Sequence, residues 1–397
     1  MELGIVGKPN VGKSTFFEAA TLAGVEIANY PFTTIKANRG MGYVRKHDPG
    51  ADLGVVSRPK NSIVLDKTRF VPIELLDVAG LVPDAHNGKG LGNQFLDDLR
   101  QAHALVHIVD VSGSTDSEGN PVDKGSHDPA DDLVFLETEI DFWFKGIILR
   151  DWTKISRMSE SSHTPVERLL SEKLSGLGIS THHIAESIHR LGLESHPTRW
   201  SDEDIMDLSR ELRSTSKPMM IAANKADRAT DEQIEAFVGK ASNYKVIPTC
   251  SEAEMALKKA SKAGLIDYIP GSPDFEIKDP SKLNEAQKKG LERIREVLLR
   301  FGSTNVQRVL ETAASELLDL IVVYPVEDEH HFTDKDRNVL PDAHLIKNGS
   351  TARDLAFKVH TDLGEHFIKA IDCRTHRTIG SDHPLKDGDV VKIHSNA

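Results

Sequence analysis

The sequence predicts an α/β protein: a mostly parallel sheet covered by helices, interrupted by a helical insertion and followed by a small α+β domain. Three observations predict it. Short apolar runs that read as buried strands recur along the chain, with helical stretches between several of them. The strand pattern lapses between Ser112 and Lys217, where a polar Gly, Asp and Pro loop leads into amphipathic helices. From Ile321 onward, short β-like runs alternate with turn residues around one helical stretch.

The elements follow in order. Leu3 to Val6 is an apolar run that ends at Gly7, and Lys13 to Leu22 is helix-like, which reads as strand, tight loop, helix. Further buried strands are expected at Pro72 to Leu76, Ala104 to Val111, Met219 to Ala223 and Lys245 to Pro248. Within the insertion, Asp131 to Lys154 carries Leu133, Leu136, Ile140, Phe144 and Ile148 at helical spacing. Ser201 precedes Asp202, Glu203 and Asp204, so a helix with a side-chain cap and favourably placed acids is expected to start there. Lys282 to Phe301 reads as a helix, Gly302 and Ser303 break it, and Asn305 to Leu318 resumes the pattern. The last helical stretch is Thr351 to Leu363, opened by the Gly349-Ser350 turn. These readings divide the chain into residues 1–112 and 218–320 for the sheet domain, 113–217 for the helical insertion and 321–397 for the terminal domain.

Composition sets the broad class. A chain of 397 residues with 39% hydrophobic and 28% charged residues suits two or three globular domains. The formal charge of -12 gives no global attraction to phosphate backbones or anionic membranes, so any nucleic-acid contact is local and no DNA sequence specificity is expected. Two cysteines, Cys250 and Cys373, make no disulfide framework. No charged, hydrophobic and cleavable leader precedes the first apolar run, and no segment approaches the ~20 apolar residues of a membrane span, so a cytoplasmic location is expected. Eight of the 18 histidines fall after Ile321, where their spacing matches no zinc template and they read as solvated.

The chemistry is concentrated in three motifs. Gly7-Lys8-Pro9-Asn10-Val11-Gly12-Lys13-Ser14, followed by Thr15, matches the phosphate-binding loop between a buried strand and a helix. Its glycines allow the backbone N–H groups to face the β-phosphate, and the helix start adds positive potential. Lys13 bridges the β- and γ-phosphates, and Ser14 ligates Mg2+. Asp77-Val78-Ala79-Gly80 follows the Pro72 to Leu76 run, placing Asp77 at a strand's carboxyl end to hold magnesium through water while the Gly80 N–H senses the γ-phosphate. Asn224-Lys225-Ala226-Asp227 follows another strand and reads the base. The Asp227 carboxylate accepts hydrogen bonds from guanine's ring N–H and exocyclic amine, a donor pair that adenine lacks. Downstream, Thr249-Cys250-Ser251 is expected to complete the base pocket through backbone N–H groups. Three motifs in this order predict a P-loop GTPase binding GTP and GDP.

Further runs carry a family resemblance. Asn29-Tyr30-Pro31-Phe32-Thr33-Thr34 resembles the first switch of Obg-related GTPases, and Gly88-Lys89-Gly90-Leu91-Gly92-Asn93-Gln94-Phe95-Leu96 resembles their second switch extension. Asn348-Gly349-Ser350-Thr351-Ala352-Arg353-Asp354-Leu355-Ala356 resembles a TGS domain, which has a β-grasp fold. Together they resemble the YchF or Obg-like ATPase subfamily over nearly the whole chain. Many members carry Asn-x-x-Glu at the base-reading position and prefer ATP; Asp227 departs from that and resembles a GTP-type archaeal branch.

The resemblance implies that Thr33 or Thr34, with Thr34 favoured by the family pattern, ligates magnesium. It also implies contact with ribosomes or structured RNA through the insertion and the terminal domain, where Arg353, Lys358, Arg374 and Arg377 are candidate phosphate contacts. Leu81 stands where Ras-like GTPases place a water-orienting glutamine, so the attacking water is arranged by another group. His86 reads either as a γ-phosphate contact or as a solvated residue. Asn10 resembles the asparagine that holds K+ in some glutamine-lacking GTPases, and equally reads as a stabiliser of the loop.

Overall fold

A computed structural model of the chain describes residues 1–21, 38–79, 92–193 and 196–396. They form two compact units: residues 1–17, 75–256 and 290–305 make the first, and residues 18–74, 257–289 and 306–397 the second.

In the first unit the strand Glu2–Val6 pairs in parallel with Ala104–Asp110, which pairs in parallel with Met219–Asn224, and that strand in turn with Val246–Pro248. Every residue of Ala104–Asp110 and Met219–Asn224 is buried, which explains their largely apolar sequence, with His107 the one polar residue inside either strand and Asp110 and Asn224 at the carboxyl ends. Register aligns Val6 with His107 and Asp110 with Asn224, so the residues that follow each strand gather at one carboxyl edge. Thr68–Asp77 ends at the same edge, where the Val78 N–H donates to the Ile5 carbonyl at 3.1 Å.

The insertion is helical, as the sequence predicts: Pro129–Leu149, Trp152–Ser162, Val166–Leu174, Thr181–Arg190 and Asp202–Ser216 lie between two neighbouring strands. The single stretch expected over Asp131 to Lys154 is two helices, with Arg150 and Asp151 as the corner. Trp152 stacks on Trp200 with centroids 5.0 Å apart, which fixes that corner. Ser201 caps its helix as expected, accepting from the Asp204 N–H while Asp204 accepts from the Ser201 N–H. One apolar cluster runs from Leu136, Phe144 and Leu208 in the insertion to Val6, Leu76 and Leu105 in the strands, so the insertion shares its core with the sheet.

In the second unit, Leu320–Val326 lies antiparallel to His344–Lys347 and parallel to Val390–Ser395, which pairs with Phe367–Asp372 and through it with Arg377–Ile379. This mixed sheet with the helix Ala352–Val359 is the β-grasp arrangement. The helix expected over Thr351 to Leu363 is broken at His360 into Ala352–Val359 and Thr361–Glu365. Ile321 and Val323 pack with Leu355, while Val322, Tyr324 and Val326 pack with Val71 and Leu340, so the strand Leu320–Val326 is buried on both faces. Four strands absent from the sequence reading belong to this unit: Arg39–His47, Ile63–Leu65 and the short pair Ile266–Asp267 and Glu276–Ile277. The resumed helix after Asn305 runs as Val306–Thr312 and then as a π-helix over Ala313–Leu317.

Candidate functional site

Residues 7–12 link the first strand to the helix Lys13–Ala20, whose first turn closes with the Phe16 N–H donating to the Gly12 carbonyl at 2.8 Å. Gly12 has φ +93°, and a Cβ there would come within 2.3 Å of Asn224 Nδ2, so both backbone shape and space require glycine. Lys13 is ion-paired with Asp77. Ser14 is exposed and Thr15 half-buried at the helix start. The expected phosphate and metal side chains Lys13, Ser14 and Asp77 therefore share one edge of the sheet. Thr33, Thr34, Gly80, Leu81, His86 and the remaining switch positions before Gly92 lie outside the described residues.

The expected base-reading motif, Asn224 to Asp227, is bonded directly to this loop. Asn224, 3% exposed, donates from Nδ2 to the Val11 carbonyl at 2.9 Å and accepts at Oδ1 from the Ser251 N–H (3.2 Å) and hydroxyl (2.8 Å). Its amide is thus consumed in joining three segments, and it positions the site through its neighbours. Lys225, with φ +58°, donates to the Asn10 carbonyl and to Asp110, both at 2.9 Å. Asp227 sits exposed in the short 3-10 turn Ala226–Arg228. The buried Cys250 thiol is pushed up to about 12 by burial and then by the Asp227 carboxylate beside it.

Several expected site residues have partners within the chain. Lys8 serves the loop differently from its neighbours: its ammonium is buried and donates to Asp132 at 2.8 Å and to the Thr115 carbonyl at 3.0 Å. At the end of the next strand the Cys250 N–H donates to the Thr304 carbonyl at 3.0 Å and the Ser251 N–H to Asn224 at 3.2 Å. Asn10 donates its amide to the Gly119 carbonyl at 2.9 Å, which matches the stabilising reading of that residue.

Sequence reasoning missed other residues that shape the site. Asp110 accepts from the hydroxyls of Ser112 (2.6 Å), Ser114 (2.7 Å) and Thr115 (3.2 Å) as well as from Lys225. Burial works to raise its pKa, yet these bonds hold it below the usual carboxylate range, so it stays an anion beneath Lys225. Arg300 grips the turn that carries Asp227, donating to the carbonyls of Ala226 (3.2 Å) and Ala229 (3.0 Å). Asn305 donates to the Pro248 carbonyl at 2.8 Å and so steadies the segment that leads into Cys250. A strand's terminal aspartate followed by Ser-x-Ser was the one visible signal; Arg300 and Asn305 carry none in the local sequence.

Residues 2–134 match the 50S ribosome-binding GTPase family, residues 222–328 the G4 motif-containing domain of YGR210-like Obg-like GTPases, and residues 337–395 the TGS domain. A GTP-binding protein of Methanocaldococcus jannaschii is 49% identical over 396 residues, covering 100% of this chain and 99% of that one. The chain belongs to the YchF/Obg-like GTPase family. The crystal structure of a GTP-binding protein from Pyrococcus horikoshii OT3 is similar along 100% of both chains, at 44% identity and a TM-score of 0.78. A more distant YchF relative, the ribosome-binding ATPase YchF of Haemophilus influenzae, is 27% identical, with 99% of this chain and 98% of that one covered. Within the YchF/Obg-like family this chain thus pairs a P-loop GTPase fold with a carboxyl-terminal TGS domain, and Asp227 lies inside the matched G4 motif-containing domain.

Proposed function

We propose that this protein is a GTP-hydrolysing switch that acts on ribosomes or structured RNA. The observation that carries the reading is the direct bonding of the base-reading motif to the phosphate loop, Asn224 to Val11 and Lys225 to Asn10, with the Asp227 turn held by Arg300. A guanine recognised at Asp227 is thereby held in fixed relation to phosphates recognised by the loop.

The donor set fits magnesium, since the Ser14 hydroxyl and Asp77 carboxylate are hard oxygen ligands on the edge where Lys13 stands. Bound there, the ion supplies charge neutralisation for the phosphates. The chain's own part is to orient the nucleotide: Lys13 and the loop N–H groups bind the phosphate oxygens, and the helix Lys13–Ala20 turns its positive end toward them. Thr34 and Gly80 complete the γ-phosphate contacts in this reading. Potassium beside Asn10 is a further proposed activator, and it requires that side chain's oxygen, since its nitrogen is given to Gly119.

The ribosomal part rests on the TGS domain and on the name of the YchF relative. All four basic candidates stand exposed, and two of them have backbone partners: Arg353 donates to the Gly364 carbonyl and Arg374 to the Gly388 carbonyl. The test is twofold: turnover of GTP and ATP in potassium and in sodium, and cosedimentation with ribosomes in GDP, GTP and a non-hydrolysable GTP analogue. Preferential GTP turnover with nucleotide-dependent cosedimentation is expected. Equal turnover of ATP rejects the base assignment, and cosedimentation indifferent to nucleotide rejects the switch.

A further inference from the structure

Lys8 fills a position that the phosphate-loop pattern leaves open, yet it makes the loop's most deeply buried ion pair. Its side chain and that of Asp132 are 2% and 6% exposed, with Nζ and Oδ1 2.8 Å apart. Taking two such charges out of water is costly, so the arrangement persists only with good geometry and added hydrogen bonds. Here the Thr115 carbonyl accepts a second bond from Lys8 at 3.0 Å, and His127 Nε2 lies 2.8 Å from the same Asp132 oxygen. His107, buried near Lys8, is pushed down to about 3 by burial and then by the lysine's charge, so it is neutral. Burial also pushes the Asp132 carboxyl above the usual carboxylate range, and the bonds and charges of Lys8 and then His127 oppose that rise.

The two partners belong to different parts of the first unit. Asp132 lies in the first turn of Pro129–Leu149, the first helix of the insertion. That helix has 21 residues, ~30 Å at 1.5 Å per residue, and farther along it Asp141 accepts from Arg213 of Asp202–Ser216 at 2.6 Å. The loop before it is fastened to the same stretch of the phosphate loop: Asn10 donates to the Gly119 carbonyl, and Gly119 approaches so closely that a Cβ on it would lie 2.7 Å from the Pro9 carbonyl oxygen. Residues 8–10 are therefore held from the insertion side, just as Asn10 and Val11 are held from the base-reading side.

We infer that Lys8 and Asp132 are a positioning pair through which the first insertion helix holds the phosphate loop in its nucleotide-binding shape, so that the insertion sets how long a nucleotide stays bound. The inference rests on nucleotide binding at the loop, as proposed above, and not on which base is read. Any partner that shifts the Asp132 end of the helix then changes nucleotide release without touching the nucleotide.

The test compares the full chain with Lys8→Met, Asp132→Asn and the double variant Lys8→Met/Asp132→Leu, reading melting temperature and the release rate of a fluorescent GDP chased with unlabelled GDP in magnesium. Each single variant leaves one buried polar partner unmatched and is expected to lower the melting temperature and speed release about tenfold or more. The double variant replaces the pair by apolar groups and is expected to recover most of the melting temperature while release stays roughly fivefold faster or more. Recovery of both properties in the double variant makes the pair merely structural and overturns the inference, as does unchanged release in the single variants. Where a single variant does not fold, the double variant decides alone. The unaltered chain is titrated with labelled GDP and ADP first: preference for ADP overturns the base assignment and the release test proceeds with ADP, whereas binding of neither overturns both readings.

Discussion

Lys13 and Asp77, the residues assigned to the phosphates and to the magnesium shell, are ion-paired with each other. The lysine is 13% and the aspartate 28% exposed at the side chain, so the contact is screened only in part. In the proposed function each has another partner, Lys13 the phosphate oxygens and Asp77 the metal shell. Nucleotide and metal binding therefore compete with this pair.

Asp77→Ala should free Lys13 and remove a carboxylate that repels phosphates. In EDTA, GDP should bind the variant at least as tightly as the unaltered chain, whereas the gain from adding magnesium should shrink about tenfold or more. Fluorescent-nucleotide titrations with and without magnesium check this, and an equal magnesium gain in both proteins removes Asp77 from the metal site.

Lys13→Ala should reduce GTP turnover by roughly a hundredfold or more, because it takes away the cation placed to offset γ-phosphate charge. The helix Lys13–Ala20 should remain, since alanine is the best helix former. Phosphate release and circular dichroism are the measurements; near-normal turnover in a folded variant refutes the assignment.

The unaltered chain should prefer GDP to ADP at least tenfold, as each hydrogen bond to a charged group is worth about 1.5 to 3 kcal/mol. Asp227→Ala should erase most of that preference. Because Arg300 holds the turn by its carbonyls, the loss should come without a large fall in melting temperature. Equal dissociation constants for the two nucleotides in the unaltered chain would defeat the base-reading argument.

In the second unit Arg69 is 0% exposed and donates to Ser62, to Asp48 and to the Leu340 carbonyl, with its guanidinium 5.1 Å from the Tyr324 ring centroid. Arg69→Met strands the Asp48 charge and should cost about 3 to 5 kcal/mol in urea unfolding. A loss below about 1 kcal/mol would mean that Asp48 is satisfied without it.

Lys217 is buried and donates to the carbonyls of Ala102 (2.6 Å) and Arg100 (3.3 Å), and burial pushes it down to about 8 from the ordinary 10.5. Between those values the unfolded chain binds more protons at this residue than the folded chain, so its contribution makes stability rise with pH across that window. Relative to Lys217→Met, the unaltered chain should gain stability between pH 7 and pH 10, by no more than ~3 kcal/mol. A stability difference independent of pH would place the ammonium's titration at its ordinary value.

The sequence by itself determined which family the chain resembles and where the expected nucleotide motifs lie, because those motifs are encoded locally. Gly12 is required by a backbone turn, Lys13 by the helix that begins there, and Asp227 by its place just past a buried strand; each is legible within a few residues. The insertion's helices and the Ser201 cap were legible for the same reason, since helical spacing and capping act over three or four residues. What only the tertiary structure decided are the partnerships across long sequence separations: Lys8 with Asp132 at 124 residues, Asn224 with Val11 at 213, Arg300 with Asp231 at 69. Strand order brings these pairs together, and no local pattern distinguishes a lysine bound for solvent from one that will be buried against an aspartate. The break at His360 and the corner at Arg150 belong to the same class, because apolar spacing continues through both and the path of the chain is set by what each helix packs against.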